Sequence, residues 1–212
     1  MFVKTAMTPN PFTTTPDATI PEALEVMETH QVRHLPVLEN GRLVGVVSRG
    51  DIRQASPSKA TSLDAGELLY LLSKLTIRKV MTAHPLTVAP DALLEQAAIL
   101  MRDNRIEMLP VVENDTLVGV ITESNLLDSL IDVLGFRDPG SRLLVEAVDE
   151  PGALAKLGTV TGHYGANISH LAVFRGERTS SVLLGLNTTD TADIEAELAA
   201  NGFTVQARLE NN

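Results

Sequence analysis

Apolar positions along this chain switch twice from the spacing of a helix to the spacing of a strand. Ala23, Leu24 and Met27 share one helical face, and Ala97, Ala98 and Met101 repeat the arrangement further on. Each helix follows a short extended piece, at 12–15 and 86–89. Thr19-Ile20-Pro21-Glu22 predicts a capping box with proline in the first turn. The second helix lacks that box, and Asp91 is its cap candidate. Apolar runs at 35–38 and 43–47 then flank Asn40-Gly41, a strong hairpin signal. The second copy keeps the hairpin around Asn114-Asp115. A further helix is expected from Ser48 and from Thr122.

A shift of 74 residues lays 3–52 over 77–126 without a gap. Met7-Thr8 falls on Met81-Thr82, and Leu35-Pro36-Val37 on Leu109-Pro110-Val111. Leu43-Val44-Gly45-Val46 falls on Leu117-Val118-Gly119-Val120. One such unit is too small to bury its own faces, so the copies should pack together. Between them, residues 62–75 read as an amphipathic connecting helix, or as a dimer contact.

Beyond residue 141 the pattern is a different one. A strand at 143–148, a turn at 149–152 and a helix to about His163 come first. Strands at 167–174 and 180–186 follow, joined by a turn at 175–178. Asp190 caps a helix carrying Ile194 and Leu198, Asn201-Gly202 ends it, and a strand at 203–209 closes the unit. The order βαββαβ is ferredoxin-like. The expected class is therefore α/β (α+β): two repeats packed as a pair, then a ferredoxin-like unit. The expected division is 1–60, a connecting helix at 61–76, 77–135, a linker at 136–141, and 142–212.

Composition narrows the chemistry. A net charge of −10 disfavours binding to nucleic acid and to anionic membrane. The last unit carries five basic against nine acidic residues, which argues against RNA. No cysteine is present, so thiolate catalysis, disulfides and Cys-ligated zinc are excluded. No apolar run approaches the ~18 residues of a membrane span, and no signal-peptide core stands near Met1. The expectation is a cytoplasmic protein. His30 and His34 stand four apart with no third ligand nearby, so no metal site is predicted. Phosphate-loop and nucleophile-elbow motifs are absent.

Both copies end in a matching phrase, Gly45-Val46-Val47-Ser48-Arg49-Gly50-Asp51 and Gly119-Val120-Ile121-Thr122-Glu123-Ser124-Asn125. The hydroxyl falls where a helix should begin, a place suited to an anion. A carboxylate three residues on can accept both hydroxyls of a ribose diol. A plain helix cap is the other reading of the same residues.

These phrases, with Val-Met-Thr, the Ala–Met helix spacing and Leu-Pro-Val, resemble a tandem pair of CBS domains. That resemblance implies adenosyl ligands in the cleft between the copies, hydroxyl to phosphate and acid to ribose. The residues implied are Arg33, His34, Ser48, Arg49, Asp51, Met108, Thr122 and Asn125, with Glu107 on the same border. Asp149-Glu150-Pro151-Gly152 before Leu154, and Gly165-Ala166-Asn167-Ile168, resemble an ACT domain. This implies pairing of subunits and an amino-acid site at Asp149, Gly152, Asn167 and Ile168, although a bare turn and strand start would look the same. The order of the three modules is similar to the acetoin-utilisation accessory family.

The expected function is a non-catalytic regulatory homodimer with an unidentified target protein. It would sense a ligand of the AMP, ADP, ATP, NAD or S-adenosylmethionine class, and an amino acid, with no cofactor besides the regulatory nucleotide. A ligand-free scaffold or regulatory subunit is the alternative, and an enzyme a more distant one. Arg49, Arg33 and Asp51 in the first copy, against Glu123, Glu107 and Asn125 in the second, further predict that the Ser48/Asp51 site prefers the more phosphorylated ligand.

Overall fold

A computed structural model describes residues 1–55, 74–177 and 179–211. Most of the helix expected at 62–75 lies outside them. The chain forms two compact units, Met1–Leu126 and Leu127–Asn212.

In the first unit, α1 (Val3–Ala6), β1 (Thr8–Pro9), α2 (Ile20–Thr29), β2 (His34–Glu39), β3 (Arg42–Ser48) and α3 (Arg49–Ala55) come first. After a 3₁₀ turn (Ile77–Lys79) follow β4 (Thr82–Ala83), α4 (Leu94–Asn104), β5 (Met108–Glu113) and β6 (Thr116–Thr122). The helix α5 (Glu123–Val133) runs on from β6. Two three-stranded sheets form, in the orders β2-β3-β4 and β1-β6-β5.

The order within those sheets shows that the copies exchange their leading segments. β1, at the start of the first copy, pairs with β6 of the second; β4, at the start of the second, pairs with β3 of the first. Val3 is fully buried in the second copy's core, and Ile77 in the first's. Backbone bonds repeat the swap: Val3 N–H donates to the Ala92 carbonyl at 2.9 Å, and Ile77 N–H to that of Ala18 at 2.8 Å. The glycines of the strand centres follow from this. A Cβ at Gly45 would stand 2.6 Å from Met81 Sδ and 3.1 Å from the Thr82 carbonyl oxygen. One at Gly119 would stand 2.6 Å from Met7 Sδ and 3.0 Å from the Thr8 carbonyl oxygen. The Met-Thr pair of one copy thus closes over the glycine of the other.

Local signals account for the rest of this unit. The Thr19 N–H donates to Glu22 Oε2 at 2.7 Å, and the Thr19 hydroxyl faces the Glu22 N–H, forming the expected box. These bonds hold the Glu22 carboxyl below its usual range. Asp91 does not cap α4, contrary to expectation. The start of the chain docks there, with Leu94 N–H on the Met1 carbonyl, so the backbone stays extended to Leu93. The Gln96 side chain accepts from the Leu93 N–H instead, at 3.0 Å. Both hairpins turn through two left-handed residues, Asn40 and Gly41, and Asn114 and Asp115, as such two-residue turns require.

The second unit has β7 (Gly140–Val148), α6 (Ala153–His163), β8 (Ile168–Arg175), β9 (Thr179–Leu186), α7 (Ala192–Ala200) and β10 (Thr204–Asn211), with sheet order β10-β7-β9-β8. This is the ferredoxin-like arrangement read from the sequence. Leu157 and Val160 of α6 and Ile194 and Leu198 of α7 bury one face of the sheet with Leu143, Val145, Val182 and Leu184. β7 begins at Gly140, within the stretch read as a linker, because Gly140 and Ser141 pair with β10 and Ser141 also with Leu186 of β9. Thr191, not Asp190, is the N-cap of α7: the Thr191 hydroxyl is turned to Glu195 at 2.6 Å, while the Asp190 N–H is taken by Thr188.

Candidate functional site

Each closing phrase forms a reciprocal box at a helix start. Asp51 Oδ2 accepts from the Ser48 N–H at 2.8 Å and the Ser48 hydroxyl at 2.7 Å, and the Asp51 N–H donates back to Ser48 Oγ at 3.1 Å. Asn125 Oδ1 accepts from the Thr122 N–H at 2.9 Å and hydroxyl at 2.7 Å, and its own N–H donates to Thr122 Oγ1 at 3.3 Å. The cap reading is therefore realised. It also leaves one side-chain atom of each residue outside the box: a carboxylate oxygen on Asp51, an amide NH₂ on Asn125. The next amide in each copy is engaged too, Arg49 N–H with the Arg33 carbonyl and Glu123 N–H with that of Glu107.

Two cavities lie against these boxes. One, of about 640 Å³, joins Thr122 and Asn125 to Asn10, Phe12, His30, Gln31 and Arg33. The other, of about 460 Å³, joins Ser48 and Asp51 to His84, Leu86, Asn104 and Arg105. Both volumes fall in the range of roughly 300–1,000 Å³ common for small-molecule sites. The 74-residue shift relates the walls, Asn10 to His84, Phe12 to Leu86, His30 to Asn104 and Gln31 to Arg105. Each cavity thus combines one copy's box with the other copy's wall. His34, Glu107 and Met108 border both.

Backbone strain marks the same walls. Among the described residues, every non-glycine with positive φ is either in a hairpin turn (Asn40, Asn114, Asp115) or on a cavity wall (Asn10, Gln31, His84, Arg105). Left-handed conformation costs an ordinary residue about 1–2 kcal/mol, and such strain concentrates at functional sites. Sequence reasoning missed Asn10, Gln31, Arg105 and Phe12. The repeat shift held the signal, since the four strained wall residues fall into two equivalent pairs.

Of the eight residues implied for the nucleotide, seven border a cavity. Arg49 borders neither: its guanidinium lies 3.7 Å from Glu28 on the surface. Arg33 lines the Thr122/Asn125 cavity rather than the Ser48/Asp51 cavity. Two of the three differences expected to favour phosphate at Ser48/Asp51 therefore do not act there, Arg33 because each wall comes from the other copy and Arg49 because it turns to Glu28. The contrast between Asp51 and Asn125 remains. Phe12 stacks on His30, ring centroids 3.5 Å apart, and the second cavity has no aromatic pair in the matching place. No group of three metal-ligating side chains occurs among the described residues.

The second unit has a cavity of about 360 Å³ at the start of α6, bordered by Asp149, Gly152, Arg175 and Ser180. Asn167 and Ile168 are not there. Ile168 pairs with Leu186 and Arg175 with Ser180, so Ile168 sits at the opposite end of β8. The reason is topological: β8 runs parallel to β7, and its start returns to the end of the sheet away from the Asp149–Gly152 loop. Asn167 instead donates its N–H to Asn187 Oδ1 at 2.7 Å.

No helix among the described residues is long and apolar enough to cross a membrane. Comparison with known proteins yields several relatives. An inosine-5'-monophosphate dehydrogenase of Korarchaeum cryptofilum is 29% identical over 170 residues, which are 80% of this chain and 33% of that protein; the chain spans only a third of this relative. A solved structure of a protein assigned to acetoin utilization (AcuB) from Vibrio cholerae is 32% identical, with TM-score 0.54, over 65% of this chain and 96% of its own. The CBS domain pair of protein MJ0100, solved with 5'-methylthioadenosine and S-adenosyl-L-methionine, is 26% identical, with TM-score 0.52, over 61% of this chain and 95% of its own. CBSX2, solved with AMP, is 29% identical, with TM-score 0.53, over 62% and 97%. The CBS domain profile matches residues 3–58 and 77–132, more than half of the sequence, and the chain belongs to the CBS domain family.

Proposed function

We propose that this chain is a non-catalytic sensor that holds adenosyl ligands in the two cavities of its first unit. The observation that carries the reading is the pairing, in each cavity, of one copy's box with the other copy's strained wall. Two similar structures hold adenosyl compounds, one with AMP and one with S-adenosyl-L-methionine. In the Ser48/Asp51 cavity, a ribose hydroxyl would donate to the carboxylate oxygen that the box leaves over. A phosphate would draw the Ser48 hydroxyl away from Asp51 Oδ2. Ligand binding would then tie wall to box and stiffen one copy against the other.

The remaining elements of the reading are a homodimer, a cytoplasmic location, an unidentified target protein and a role of the acetoin-utilisation type. The ACT-like second unit would relay the signal. An amino-acid site built from Asp149, Gly152, Asn167 and Ile168 would require two chains, since one chain holds these pairs at opposite ends of its sheet. Calorimetric titration of AMP, ATP and S-adenosylmethionine into the whole chain tests the central claim. Binding that is lost on filling both cavities, by Asn10→Trp with His84→Trp, is expected. No heat with any of the three would leave a ligand-free scaffold.

A further inference from the structure

The two cavities share one ionisable imidazole. His34 borders both, is 18% exposed, and its Nε2 lies 3.7 Å from Glu107 Oε2. The matching residue of the second copy is Met108, which cannot titrate. The charged groups facing His34 come from four places: Arg33 beside it, Asp51 in the first turn of α3, Glu107 ahead of β5, and Glu123 in the first turn of α5. His30 lines one cavity, and His84 and Arg105 the other. Burial holds the imidazole below its ordinary value near 6.5, against the pull of Glu107, Asp51 and Glu123.

We propose that His34 sets the charge preference of both cavities and couples them, an anionic ligand in either one drawing onto this imidazole a proton that then favours an anion in the other. The proposal rests on the nucleotide reading above and adds the regulation of that site. A nearby phosphate favours the cationic imidazole, and by linkage the cation favours the phosphate. The coupling has a pH window. Well above it, neither ligand recruits the proton; well below it, the proton is bound before any ligand arrives. In between, the first anion brings the proton and the second gains from it. A cationic adenosyl group such as that of S-adenosylmethionine recruits no proton.

Calorimetry of AMP binding to the whole chain, in two buffers of different ionisation enthalpy at about pH 6.5 and about pH 8.5, tests this. The AMP phosphate itself titrates at about pH 6, so proton uptake is read as the difference between wild type and H34M, which installs the side chain of the other copy. Expected are net uptake by the wild type over H34M near pH 6.5, none near pH 8.5, and a several-fold gain in second-site relative to first-site affinity at the lower pH only. H34M should still bind AMP, without that pH-dependent gain. Equal uptake by H34M and wild type would overturn the proposal. AMP binding with a site ratio independent of pH would also overturn it. Absence of AMP binding in both proteins would overturn the nucleotide reading itself.

Discussion

The two copies of the repeat share a backbone plan and differ in what they present to a ligand. Both place a hydroxyl residue and its partner in a reciprocal box, and both close a Met-Thr pair over a strand glycine. Their walls have diverged: Phe12 and His30 stack in one cavity, where Leu86 and Asn104 stand in the other. Of the equivalent residues His34 and Met108, which both border the two cavities, only the first carries an imidazole. The difference teaches that the repeat maintains geometry, while the cavity linings diverge through the side chains lent by the opposite copy.

The largest effect should come from breaking what the copies share. Gly45→Val and Gly119→Val each drive a side chain into methionine sulfur and a backbone carbonyl, and overpacking of this kind costs about 1–3 kcal/mol. Urea denaturation should show comparable losses in the two variants; a loss in only one would mean that the exchanged segments hold the copies unequally. Next comes the difference at the boxes. Asp51→Asn keeps the box acceptor but turns the second atom into a donor, and should weaken AMP roughly tenfold at that site. Asn125→Asp should strengthen the other site, and the opposite ranking in calorimetry would refute the argument.

A smaller effect separates the helix starts. Thr19→Ala removes a reciprocal cap and should cost α2 about 1 kcal/mol. Gln96→Ala removes one acceptor from α4 and should cost less, as read from shifts in melting temperature. The smallest effect concerns acid. The folded-state value of His34 is depressed, so the unfolded chain binds more protons just below pH 6.5. Stability of the first unit should therefore fall as pH drops through that value, and H34M should fall less; identical melting curves for both from pH 7 to pH 5 would remove His34 from the account.

What the sequence showed clearly was local. Asn40-Gly41 and Thr19 with Glu22 lie within a few residues of the structures they form, and the βαββαβ order of the second unit follows from periodicity and turn residues. The 74-residue shift announced the pair. What stayed hidden was which copy each segment joins, because Met7-Thr8 fits Gly45 and Gly119 equally well on chemistry alone. That ambiguity misplaced Arg33, and Arg49 was misread because its neighbour Glu28 comes from the preceding helix. Asn167 stands apart from Asp149 and Gly152 within one chain for another reason. A strand–helix–strand crossover brings strand starts together, so motifs close in sequence parted to opposite ends of one sheet.

The exchanged segments also bear on how the chain reaches its fold. The first hairpin can form as soon as β2 and β3 exist, but its core and third strand wait for residues 77–83. Residues 3–9, made early, have no final place until β6 follows more than a hundred positions later. Such pairings raise the mean sequence separation of contacts, which slows folding. They also make the first unit fold as one cooperative event, since a ribosome-bound chain carrying only the first copy would display Met7 and Val3 with nothing to cover them.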